Sequence, residues 1–109
     1  MDDIIALARD LGKKIAAHPR CVDFMAAARA VAGDKAAQEV LRTYQDQVRR
    51  IQELEHGGKP IEPADKRKLA DCEAAVAGND LLKKMLKHQA DYLEFMNRIN
   101  SAIDEASHG

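Results

Sequence analysis

Apolar residues recur along this chain at intervals of three and four, and the rhythm breaks only where glycine, proline or a capping side chain stands. That spacing gathers them on one face of an α-helix, and nowhere does the strict alternation of a half-buried strand replace it. The pattern predicts an all-α fold of about five helices, at roughly 3–17, 19–32, 35–56, 63–77 and 80–106. Each boundary has a local cause. His18-Pro19 ends the first helix, because a residue before proline is biased out of the helical region while proline suits the first position of the next. Gly33-Asp34 and Gly78-Asn79 each supply a helix-ending glycine and then a side-chain acceptor that caps the following helix. Gly57-Gly58-Lys59-Pro60-Ile61-Glu62 is the one strong linker.

The expected stripes are Ile4, Leu7, Ala8, Leu11 and Ile15 on the first helix and Val22, Met25, Ala28 or Arg29, and Val31 or Ala32 on the second. On the fourth they are Leu69, Cys72 and Val76. With 109 residues the chain makes one domain over 1–109, composed of two helix-turn-helix halves, 1–56 and 63–109, joined by linker 57–62. Shifted by 45 positions, Ala30-Val31-Ala32-Gly33-Asp34 lies over Ala75-Val76-Ala77-Gly78-Asn79, and the apolar positions that follow stay in step. A duplication explains this, and so do two amphipathic helices started by the same kind of cap.

Composition removes several function classes. Only 4% of residues are aromatic and 46% are hydrophobic, an alanine- and leucine-rich balance that argues against an all-β fold. Seventeen basic against 18 acidic residues leave a net charge of −1, so no long-range pull toward nucleic acid or anionic membrane is expected. No apolar run approaches the 18 or so residues of a membrane span, and Met1-Asp2-Asp3 is acidic where a secretory signal is basic. The expectation is a soluble, cytoplasmic protein that binds neither membrane nor nucleic acid directly.

Helix length bears on assembly. The third and fifth helices would run roughly 33 and 40 Å, against a radius of gyration of about 13 Å for a compact domain of this size. Their seams are spaced alternately by three and four, as in coiled-coil packing. A long antiparallel hairpin of these two helices, flanked by the shorter ones, is expected to need a second copy as cover. The candidate interface is Leu41, Tyr44, Val48 and Ile51 with Tyr92, Met96, Ile99 and Ile103.

Taken in order, Ala8-Arg9-Asp10-Leu11-Gly12, His18-Pro19, Tyr44-Gln45, Gly57-Gly58-Lys59-Pro60-Ile61, and Asn79 followed by Leu82, Gln89, Asp91-Tyr92, Met96 and Ile99-Asn100 resemble the YlbF/YmcA family of bacterial proteins over nearly the whole chain. The resemblance implies a helical, oligomeric, cytoplasmic regulator without known catalysis. It also implies family-type protein partners, in a complex linked to competence, sporulation, biofilm control and RNA processing by RNase Y. Some members of that family carry cysteines implicated in iron–sulfur binding. This chain departs there, ending at Ser107-His108-Gly109 without one.

Candidate chemistry is sparse. Glu53-x-x-His56 has the spacing of a di-iron ligand pair, but that site needs a second such pair and two further carboxylates, and His56 equally suits a helix C-terminus. Cys72 sits in an apolar stripe and Cys21 opens a helix without a positioned base, and neither belongs to a CxxC pair. No phosphate loop, nucleophile elbow or paired catalytic carboxylates can be assigned. The basic clusters Lys13-Lys14, Arg49-Arg50 and Lys66-Arg67-Lys68 are interleaved with acids and lack aromatic partners for base stacking. The expectation is a non-enzymatic adaptor with no cofactor and no metal, docking partners through Lys83, Lys84, Lys87, His88 and Asp91. The alternative is a metal- or iron–sulfur-binding sensor.

Overall fold

A computed structural model describes residues 2–109. Among them are five α-helices and no strand: α1 (Asp2–Ala17), α2 (Pro19–Ala32), α3 (Lys35–His56), α4 (Pro63–Ala77) and α5 (Asp80–His108). The chain forms two compact units, one made of residues up to Ala28 together with Met85–Gly109, the other of Arg29–Lys84. Linker 57–62 is internal to the second unit, where it joins α3 to α4.

In the second unit α3 packs on α4. Ala37 and Leu82 are wholly buried at 0% exposure, and Val31, Cys72 and Val76 are buried with them. The row on α3 runs through Ala37, Leu41, Tyr44, Gln47, Val48, Ile51 and Leu54, all buried or half-buried, so a polar residue sits in the middle of an apolar stripe. Gln47 is only 2% exposed, and its side-chain nitrogen donates to the main-chain carbonyl of Asp65 on α4 at 2.9 Å. A buried amide is tolerated when it is paired in this way.

The caps read from the sequence are present. Asp34 Oδ1 accepts from the Ala37 N–H at 2.8 Å, and Asn79 Oδ1 accepts from the Leu82 N–H at 3.1 Å, so α3 and α5 start with the same device 45 residues apart. After α3, Gly58 takes a left-handed φ of 69°, the Lys59 N–H reaches the Leu54 carbonyl at 2.9 Å and the Gly58 N–H reaches Glu55 at 3.1 Å. This reversal needs a residue without a Cβ.

In the first unit two ring contacts hold α2 and its leading residue to α5. His18 stacks on Phe95 with centroids 4.1 Å apart, and Phe24 lies tilted against Tyr92 at 5.3 Å. These contacts set the rotation of α2. Cys21 and Ala27 are buried and Phe24 and Ala28 half-buried, while Val22 and Met25, expected on the inner stripe, are 47% and 44% exposed. Ala28 and Val31 are covered as expected, and the row departs only at the start of α2, where the large ring of Phe24, rather than the smaller Val22 or the flexible Met25, meets Tyr92. No residue of α1 is buried, and Ile4 and Leu7 remain 65% and 67% exposed.

Candidate functional site

Buried polar chemistry in the second unit is structural in character. Asp65 accepts from Arg50 Nε at 2.9 Å, and its main-chain carbonyl is the partner of Gln47. The Arg50 guanidinium holds the Asp65 carboxyl below its usual range, against the upward push of its partial burial, and the same contact raises Arg50. With donor and acceptor already committed to each other, this pair fastens α4 to α3 and presents no free acid or base.

Among the described residues no three His, Cys, Asp or Glu side chains come together in a way that suits a metal ion. Glu53 and His56 line a shallow open groove with Arg49, Gln52 and Gly57 at the end of α3. Both cysteines are free and buried, Cys21 in the first unit and Cys72 in the second, where Cys72 Sγ lies 3.9 Å from the Thr43 carbonyl. Glu94, one turn beyond Asp91, lies 3.4 Å from Arg98 Nε, a contact that engages its carboxylate.

In the first unit His18, Arg20, Phe95, Arg98, Ile99 and Ala102 line an open groove with an apolar floor and cationic edges. His18 Nδ1 accepts from the Arg20 N–H at 3.1 Å, so the imidazole both caps α2 and stacks on α5. From the sequence His18 read as a helix stop and as part of the family resemblance, not as a residue of a groove. Its sole sequence signal was a ring acceptor standing immediately before a proline-initiated helix.

The proposed interface residues are not equivalent. Leu41, Tyr44, Val48 and Ile51 on α3 are half-buried, as are Tyr92, Met96 and Ile99 on α5, whereas Ile103 is 52% exposed. Tyr92 gives one face of its ring to Phe24. Of the docking candidates, Lys83, Lys84, Lys87 and Asp91 are exposed and His88 is half-buried. Sequence reasoning did not single out α1 as a surface. Six charged residues within its 16 positions were the available hint that it cannot be a core helix.

The class these observations define is a small all-helical protein with several large apolar side chains exposed on its helices. The sequence profile of the family described as control of competence regulator ComK, YlbF/YmcA, matches residues 4–106, and the chain belongs to that family. Among solved structures it is similar to the crystal structure of Bacillus subtilis RicA in complex with RicF, with a TM-score of 0.78 at 14% identity, covering 97% of this chain and 94% of that one. At that identity the likeness is one of fold. None of the curated proteins compared with it matches significantly. Among the described residues no helix is long and apolar enough to cross a membrane.

Proposed function

We propose that this chain is a non-enzymatic regulatory adaptor that docks partner proteins through the charged face of α5, at Lys83, Lys84, Lys87, His88 and Asp91. The observation that carries this reading is where its apolar side chains lie. Ile4, Leu7, Leu93 and Ile103 are more than half exposed, an expenditure of apolar surface that a protein working alone has little reason to make. Family membership supports a regulatory role, and RicA was solved as one partner of a complex. A role in competence control or in an RNA-processing assembly is the finer form of the proposal. Self-association through Leu41, Tyr44, Val48, Ile51, Tyr92, Met96, Ile99 and Ile103 belongs to it as well.

Exposed charges govern encounter rate and partner choice more than fold. The test is the triple variant Lys83→Glu, Lys84→Glu, Lys87→Glu. Its helicity should match wild type, because exposed substitutions usually stay within about 0.5 kcal/mol each. Capture of partners from native lysate should be lost, and wild-type capture should weaken as salt rises. Recovery of the same partners by the triple variant at the same salt would move the site elsewhere. Stoichiometric iron after anaerobic purification would move the protein to the sensor class.

A further inference from the structure

The groove of the first unit holds about 460 Å³, and its lining carries cations without a carboxylate among them. Phe95, Ile99 and Ala102 follow one another at intervals of four and three on α5 and make its apolar part. Arg20 contributes from α2 and Arg98 from α5, so the charge comes from two helices. His18 adds a further donor: because Nδ1 accepts the Arg20 N–H, the neutral ring carries its proton on Nε2. This is a site of side chains and not of a helix end. The main-chain N–H groups of Cys21 and Val22 are already bonded to the His18 carbonyl, both at 3.0 Å, and that of Arg20 to the ring.

The arginines have capacity to spare. Arg20 is half-buried, and among the described residues its side chain forms no ion pair. Arg98 meets Glu94 through Nε at 3.4 Å, and a guanidinium has more N–H donors than that one contact uses. A cation partly withdrawn from water gains most from a carboxylate, which forms the strong, charge-assisted kind of hydrogen bond. We propose that this groove docks an acidic segment of a partner protein, one large apolar side chain of the segment lying on Phe95, Ile99 and Ala102 while the carboxylates beside it meet Arg20 and Arg98. Nucleic acid fits less well. Single strands bind on open aromatic faces, whereas the one aromatic carbocycle here is stacked on His18 at 4.1 Å and the rest of the apolar lining is aliphatic. The site is separate from the lysine face proposed above and does not depend on it.

Fluorescence anisotropy with a labelled Glu-Glu-Leu-Glu-Glu peptide tests the proposal on the full chain. Wild type should bind it, more weakly as salt rises, and should prefer it about tenfold over Gln-Gln-Leu-Gln-Gln and over Glu-Glu-Ala-Glu-Glu, because both the charge and the leucine contribute. Arg20→Gln and Arg98→Gln keep much of the stem that packs and remove the charge, so each should weaken binding about tenfold with helicity unchanged. Ala102→Glu, at an exposed position on α5, should abolish binding by giving the groove its own carboxylate one turn from Arg98. The triple variant Lys83→Glu, Lys84→Glu, Lys87→Glu should bind the peptide as wild type does, whether or not it captures partners from lysate, which keeps the two sites distinguishable. Ile99 is shared with the seam proposed for self-association, so a groove closed by a second copy would show itself as no binding by wild type. That result, equal binding of the glutamine peptide, full affinity in Arg20→Gln or Ala102→Glu, loss of binding in the triple lysine variant, or tighter binding of single-stranded oligouridylate would each overturn the proposal.

Discussion

Gln47 donates its side-chain amide to the main-chain carbonyl of Asp65, 18 residues further along the chain and on the facing helix. The contact is 2.9 Å long in a position that is 2% exposed, so it joins α3 to α4 without help from water. Replacing Gln47 by Leu keeps the volume and strands the carbonyl. A buried group left unpaired costs about 1–3 kcal/mol, and a chain of this size should lose roughly 4–8 °C of thermal midpoint for each of those kilocalories. Thermal denaturation followed by circular dichroism measures it, and an unchanged midpoint would mean the contact contributes nothing.

Acid should weaken the same junction. The Asp65 carboxyl is held below its ordinary value of 3.8 by Arg50, so the unfolded chain takes up this proton before the folded one does. The contribution of the pair is therefore complete above the ordinary value and is lost as pH falls through the lower, folded one. Urea midpoints measured from about pH 5 down to pH 2 should fall more steeply for wild type than for Asp65→Asn. Parallel curves would assign the acid sensitivity to other carboxylates.

Two effects meet at His18, and two substitutions separate them. His18→Asn retains a capping acceptor and loses the stack on Phe95, which should cost about 0.5–1.5 kcal/mol. His18→Ala loses the cap as well and should cost about 1 kcal/mol more. Chemical denaturation of both variants gives the difference directly; equal losses would mean that the Arg20 N–H gains nothing from the ring.

Leu82, at 0% exposure, fills space one turn after the cap that starts α5. Leu82→Ala should cost about 2–5 kcal/mol through lost burial and the cavity left behind. Leu86→Ala, four residues on and 43% exposed, should be nearly neutral for a lone chain. Equal sensitivity at the two positions would place Leu86 in a contact already formed in solution.

Helix existence and boundaries were open to reading because each is set by chemistry within a few residues. Pro19 and Pro63 begin α2 and α4, Asp34 and the Asn79 cap start the long helices, and Gly58 closes α3. Which helix lies against which was much less legible, since an apolar stripe records that something covers it and not what. Gln47 shows the reason from the polar side: its burial depends on a carbonyl 18 residues away, and no local pattern announces that partner. The rotation of α2 was misjudged for a related reason, because Phe24 is drawn inward by Tyr92, 68 residues distant. The docking face of α5 was nominated on charge alone, and charge on a helix surface leaves no trace in packing.

The way the chain is shared between the two compact units has a consequence during synthesis. Residues 29–84 form one unit without help from the ends, whereas the other draws on both the beginning of the chain and Met85–Gly109. At ribosomal rates of about 5–20 residues per second, the 25 residues from 85 to 109 take on the order of one to five seconds to emerge. Through that interval α3 and α4 can close on each other while α2 waits for the aromatic side chains of α5. A nascent-chain binder that recognises short apolar helices would meet α2 up to Ala28 unpaired during those seconds, and would lose it once Phe95 and Tyr92 arrive.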